Sequence, residues 1–142
     1  MEFTPSNGNE IQTEYLVPRA RAVEAIEAMR ALASRIEPLL LVSEIRTTRA
    51  DSLWLSGSYE TDTVNLHFTW KKMPVEVAAL LPVLEAELLP LRARPHWGKW
   101  FAAGHAALGP LYPRFDDFRA LAGQLDPEGK FRNEYLARAL DL

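Results

Sequence analysis

Residues 64–70 read Val-Asn-Leu-His-Phe-Thr-Trp, and the alternation has no fault in it. Val64, Leu66, Phe68 and Trp70 are apolar, while Asn65, His67 and Thr69 between them are polar. Successive side chains of a strand point to opposite sides, so a period of two predicts a strand with one apolar and one polar face. A fold for this chain must bury the first face. It must also find a role for the second.

The segments around this strand narrow the choice. Ile11–Val17 alternates well enough for a strand, closed by Pro18. Arg19–Ile36 carries Val23, Ile26, Met29, Ala33 and Ile36 at helical spacing, and Pro38 ends the pattern. Leu39–Thr48 reads as a strand, alternating from Ser43 onward, and Asp51–Asp62, with Gly57, as a connection. A helix over Pro74–Leu89 would bury Val77, Leu80, Leu81, Leu84 and Leu88, with Pro82 delaying or kinking it. Arg94–Phe101 reads as a fourth strand. Strand, helix, strand, strand, helix, strand is the ferredoxin-like βαββαβ order, an α+β fold with both helices on one face of an antiparallel sheet. Beyond it, Tyr112–Leu125 and Lys130–Leu140 read as helices joined by a turn at Asp126–Gly129. The expectation is a single domain, its ferredoxin-like core over about residues 10–102 and a helical tail over about 103–142.

Composition removes several function classes. Sixteen basic and 19 acidic residues, mixed along the chain, give a net charge of -3 and no basic stripe for nucleic acid. No apolar run approaches the roughly 20 residues that span a bilayer, and Met1–Asn9 is too polar for a signal peptide, which points to the cytoplasm. The absence of cysteine rules out disulfides, thiolate metal sites and thiol nucleophiles. Neither a glycine-rich nucleotide loop nor a nucleophile elbow is present, and no metal ligands cluster. The opening segment reads as a loop leading into a strand, as if the chain continued from something longer.

The polar sheet face is where chemistry would lie. Counting by twos puts Glu44, Arg46 and Thr48 on one side of the second strand, and Asn65, His67 and Thr69 on one side of the third. Lys99 projects from the fourth, and Gln12 and Glu14 from the first. The usual strand order of this fold, 4-1-3-2, makes these rows neighbours. An acid, a guanidinium, an imidazole, a hydroxyl and an amine can together accept from and donate to a polyhydroxylated ligand. The same residues also read as a solvated face with a surface pair worth under about 1 kcal/mol. His96-Trp97-Gly98-Lys99-Trp100 has two readings as well. It is either an aromatic wall beside an amine, suited to a planar ring cofactor, or a tryptophan-rich core strand with Lys99 reaching solvent. His105 sits in a loop-like stretch and receives no role.

Three strings carry a resemblance. Arg94-Pro95-His96-Trp97-Gly98-Lys99, Leu111-Tyr112-Pro113-Arg114 and Leu125-Asp126-Pro127-Glu128-Gly129-Lys130-Phe131-Arg132-Asn133 resemble the C-terminal region of aldonolactone and alditol oxidases, flavoenzymes of the vanillyl-alcohol-oxidase type. Ser43-Glu44-Ile45-Arg46-Thr47 and His67-Phe68-Thr69-Trp70-Lys71-Lys72 look more like the alditol (xylitol or sorbitol) branch. The resemblance implies an FAD-dependent oxidase that moves a hydride from the C1 carbinol of an alditol to flavin, with oxygen as acceptor giving hydrogen peroxide. It implies that Glu44, Arg46, Thr69 and Lys99 line the substrate site, with Glu44, Arg46 and Lys99 catalytic and His67 a polar wall. His96 would lie against the flavin and Asn133 would contact the cofactor. FAD would be bound mainly by a flavin-binding domain in cis, upstream. The competing expectation is a stand-alone ferredoxin-like module that binds a small ligand without redox chemistry.

Overall fold

The computed structural model describes Gly8 and residues 10–142; the rest of the opening segment Met1–Asn9 lies outside them. Its sheet has the strands β1 (Ile11–Pro18), β2 (Leu40–Thr48), β3 (Thr63–Trp70) and β4 (Arg94–Pro95), all neighbours antiparallel, in the order β2-β3-β1-β4. The helices α1 (Ala22–Ala31), α2 (Ala33–Ile36) and α3 (Pro74–Leu88) cover one face. Three more helices follow the sheet: α4 (His105–Leu108), α5 (Phe115–Leu125) and α6 (Glu134–Leu140). This is the ferredoxin-like α+β order that the sequence predicts, with the alternating strand at its centre.

The apolar row of β3 works as its pattern requires. Val64, Leu66, Phe68 and Trp70 are buried with Tyr15 and Val17 of β1 against Val77, Leu80, Leu81, Leu84 and Leu88 of α3. Each such side chain contributes about 1.5–3 kcal/mol relative to an exposed one. Trp70 stacks on Phe68 at 5.1 Å, and its indole N–H donates to the Thr13 hydroxyl, 3.0 Å. A second cluster gathers Phe101, Leu108, Leu111, Tyr112, Phe115, Ala139 and Leu140, with Trp97, Tyr135 and Leu55 packed against it.

Several boundaries differ from expectation. The first helix is interrupted at Leu32, whose φ of -93° and ψ of 7° leave the helical range. It also opens as a 3-10 turn over Arg19–Arg21, which shifts its phase: Val23 is 75% exposed and Ala25 takes the core position instead. Pro82 neither delays nor breaks α3, which starts at Pro74. Pro82 and Ala78, whose carbonyl loses its partner, both lie on the exposed side, where water substitutes. His105 opens a short helix rather than a loop, a 3-10 turn over Gly109–Leu111 precedes the late start of α5, and α6 begins only at Glu134. The largest difference is β4, which ends at Pro95 instead of reaching Phe101.

Candidate active site

Register brings the polar face together. Glu14, His67 and Glu44 are paired across β1, β3 and β2, so an acid, an imidazole and an acid form one row. Asn65 pairs with Arg46 on one side of that row, and Thr69 pairs with Gln12 on the other. Every second residue of a strand shares a face, so Asn65, His67 and Thr69 run down the middle of it.

Lys99 reaches this row because β4 stops early. His96 N–H still donates to the Glu14 carbonyl, 2.9 Å, and Trp100 N–H to the Gln12 carbonyl, 3.0 Å. A regular antiparallel ladder would advance two residues on each strand, whereas here four residues pass opposite two. The excess is looped out in a turn closed by Lys99 N–H on the His96 carbonyl, 3.0 Å. Gly98 N–H is held in that turn by His96 Nδ1, 3.1 Å, and a Cβ at Gly98 would stand 3.3 Å from His96 Cε1. Lys99 therefore stands on a turn and crosses back over β1.

Its ammonium bonds the Glu14 carboxylate and lies 2.8 Å from His67 Nδ1. Glu14 and His67 are 3.4 Å apart, at the limit of hydrogen bonding, so the ammonium between them is the donor to both. With Nδ1 accepting, the ring proton belongs on Nε2, 3.1 Å from the Thr69 hydroxyl and 3.9 Å from Glu44 Oε2. Glu44 in turn pairs with Arg46. The second Glu14 oxygen accepts from Asn65 Nδ2, 3.2 Å, which also donates to the Thr48 hydroxyl, 3.0 Å. Asn65 Oδ1 accepts from Thr63, 3.0 Å, itself bonded to Ser58, 2.8 Å.

Burial then separates the members. Glu14 and His67 are 5% and 4% exposed, while the Glu44 and Arg46 side chains remain about half open. The inner end of the face is therefore no solvated surface. The connection over residues 51–62 closes it where Gly57 meets Leu16, and a Cβ at Gly57 would stand 2.7 Å from Leu16 Cδ2. With the His67 ring beside it and the Lys99 ammonium bonded to it, the Glu14 carboxyl is held down to about 2 against the upward push of burial.

Folding thus favours ionised Glu14, and that contribution is complete above its ordinary value of 4.5 and disappears as pH falls through about 2. A shift of this size corresponds to roughly 3 kcal/mol. Urea unfolding followed between about pH 5 and pH 2 should show this loss, and Glu14→Gln should flatten that part of the curve. An acid limb unchanged in the variant would show that Glu14 is not its source.

The structure thus gathers Glu44, Arg46, His67, Thr69 and Lys99, joined in sequence by their own contacts. His96 lies apart: its ring is exposed and folded onto its own turn. Asn133 is apart too, its side chain capping α6 by accepting Leu136 N–H, 2.9 Å. The two tryptophans divide the two readings of their string. Trp97 packs against Tyr112 at 5.4 Å and donates to the Leu55 carbonyl, 2.8 Å. Trp100 is 38% exposed and lines an open cleft of about 910 Å³ with Lys99, Gln12, Glu134, Tyr135 and Arg138. Glu14, at the centre, is the residue whose role the sequence pattern left unread, although its place in the β1 row was the available signal. Among the described residues no group of His, Cys, Asp and Glu could hold a metal ion, and no helix is long and apolar enough to cross a membrane.

Known proteins are similar to this chain in sequence. The chain is 50% identical over 143 residues to a protein named alditol oxidase from Streptomyces sp., covering 99% of this chain and 34% of that protein. It is 31% identical over 132 residues to an L-gulono-1,4-lactone dehydrogenase of Mycobacterium tuberculosis, covering 91% of this chain and 30% of that one. It is 28% identical over 131 residues to L-gulonolactone oxidase of Bos taurus, covering 88% and 30%. The chain thus spans about a third of the length of these relatives. The family described as D-arabinono-1,4-lactone oxidase matches residues 6–139, nearly the whole chain, and the chain belongs to that family.

Proposed function

We propose that this chain is the substrate-facing part of an FAD-dependent alditol oxidase, working with a flavin-binding domain in cis. The observation that carries the reading is the Lys99 ammonium, held at the rim of a buried acid–imidazole row beside a half-open acid–guanidinium pair. The 50% identity to a protein named alditol oxidase, against 31% to a lactone dehydrogenase, favours an alditol over a lactone.

In this reading Glu44 accepts hydrogen bonds from substrate hydroxyls and Arg46 donates to them, which orients the polyol chain along β2. Thr69 donates to the same chain. Lys99 stands at the reacting C1 hydroxyl, where a fixed cation stabilises the developing alkoxide. His67 backs Thr69 and Lys99 as a polar wall. FAD, when bound, supplies the acceptor for the C1 hydride, and oxygen is the final acceptor, giving hydrogen peroxide. The open cleft edged by Trp100 and Tyr135 beside Lys99 fits a planar ring, with exposed His96 next to it as the candidate contact. Asn133, at the start of α6, is the second candidate through the amide nitrogen its cap leaves free. In this reading the flavin-binding domain holds the rest of the cofactor, consistent with a chain that carries no glycine-rich phosphate loop.

The test is peroxide release by the full-length holoenzyme with xylitol, sorbitol and an aldono-1,4-lactone as alternative substrates. The expected result is a higher kcat/KM for the alditols. Peroxide from the lactone alone would replace the substrate class, and binding without turnover would favour the ligand-binding module.

A further inference from the structure

Glu14 is the most buried carboxylate on the polar face, and no role in substrate contact explains it. Its carboxylate accepts from Asn65 Nδ2 on one oxygen and from Lys99 Nζ on the other, which also lies 3.4 Å from His67 Nδ1. The donors cannot be reversed. The Asn65 amide is oriented by Thr63, whose hydroxyl donates to Asn65 Oδ1, 3.0 Å, and Lys99 has no acceptor to offer. The anion therefore fixes one direction for the whole chain of bonds. Lys99 donates to His67 Nδ1, His67 Nε2 donates to Thr69, and the Thr69 hydroxyl proton is left to point outward.

Resting on the alditol-oxidase reading above, we propose that Glu14 is a positioning residue. It anchors Lys99 at the reacting hydroxyl and, through it, sets the His67 tautomer that makes Thr69 a donor to substrate. Of the other charges near Lys99, Glu10, Glu134 and Arg138 line the open cleft with it, His96 is bonded within its own turn, and Glu44 is engaged by Arg46. Without the anion the ammonium loses its fixed partner, and either ring nitrogen of His67 can carry the proton.

The experiment uses the full-length holoenzyme and two readouts. Glu14→Gln should lower kcat on xylitol by about 10- to 100-fold, the size of a small misplacement, while KM changes by less than about threefold. Glu14→Asp, which keeps the charge, should recover most of the loss. In a Lys99→Met background, Glu14→Gln should lower kcat no further, because the group it positions is gone. The second readout is independent of turnover: a long-range proton–nitrogen spectrum of histidine-labelled enzyme, with the His67 signals identified by their loss in His67→Gln. Wild type should show one tautomer with the proton on Nε2, and Glu14→Asp should keep it. Glu14→Gln should mix or reverse it; if that variant fails to fold, the wild-type and Glu14→Asp spectra decide. Wild-type His67 with its proton on Nδ1, or a Glu14→Gln enzyme with unchanged kcat and tautomer, would overturn the assignment. Absence of peroxide from wild type with any alditol or lactone would instead defeat the oxidase reading, while the His67 spectrum would still decide the role of Glu14.

Discussion

Lys99→Met in the full-length enzyme is expected to remove nearly all turnover while the flavin stays bound. Loss of one preorganised charge at a developing oxyanion costs about 10²–10³ in kcat, and kcat on xylitol should fall in that range. The same change has a second, separable consequence. It strips the buried Glu14 carboxylate of its cation, and breaking a buried pair by removing one partner costs about 3–5 kcal/mol. The single variant should therefore be both inactive and less stable. Adding Glu14→Gln to it should return much of the stability and none of the turnover. Near-normal kcat in Lys99→Met would remove Lys99 from the reaction, and equal stability of single and double variants would show that Glu14 is not buried as a charge.

Arg94→Met should cost about as much stability without touching the polar row. The guanidinium is buried, and its Nε donates to the Leu111 carbonyl, 2.9 Å. One of its terminal nitrogens donates to the carbonyls of Tyr59, 3.0 Å, and Gly57, 3.4 Å, while the group lies 5.1 Å from the Tyr112 ring centre. One side chain thus ties the connection over residues 51–62 to the second apolar cluster. Burial lowers the pKa of Arg94, as expected for a cation held by carbonyls and a ring without a direct carboxylate partner. Each orphaned buried carbonyl costs about 1–3 kcal/mol, so a loss of roughly 3–5 kcal/mol is expected in urea unfolding. Arg94→Lys should not rescue it, because an ammonium lacks the planar fork. A loss under about 1 kcal/mol would mean that the tie is not needed.

These two residues also mark what the sequence could and could not disclose. The alternation of Val64–Trp70 was enough to orient β3, and with β3 oriented the rows containing Glu44, Arg46, His67 and Thr69 had to be neighbours in a ferredoxin-like sheet. That part was legible because a period of two is a property of the backbone. Burial was not legible, since it depends on what lies above the face. The charges of Glu14 and Glu44 look alike in the chain, yet one is enclosed by Lys99, His67 and Asn65 and the other is half open. Helix phase failed at Val23 for a related reason: the 3-10 turn ahead of α1 turns the stripe by an amount that spacing alone does not carry.

The early end of β4 was hidden by residues that make good strand. Trp97, Trp100 and Phe101 favour extended backbone, and hydrogen bonds to β1 do continue on both sides of the turn. Only the register count, four residues against two, reveals the loop that lifts Lys99 into place. The Glu85 carboxylate supports the departing chain. It accepts Tyr15 O–H, 2.9 Å, and Ala102 N–H, 2.7 Å, and burial pushes its pKa upward. A buried glutamate on α3 could not have been paired with Ala102 from sequence, because nothing in either segment signals the other.

The most direct test of the central claim is the absorbance of the oxidised flavin in the full-length enzyme, mixed anaerobically with xylitol, for wild type and Lys99→Met. If this chain presents an alditol to the flavin, the wild-type absorbance bleaches in a single turnover and returns with an equivalent of peroxide when oxygen is admitted. The Lys99→Met sample should bleach at least about 100-fold more slowly. A wild-type spectrum unmoved by xylitol, sorbitol and aldonolactones alike, or equal bleaching in both proteins, would contradict it.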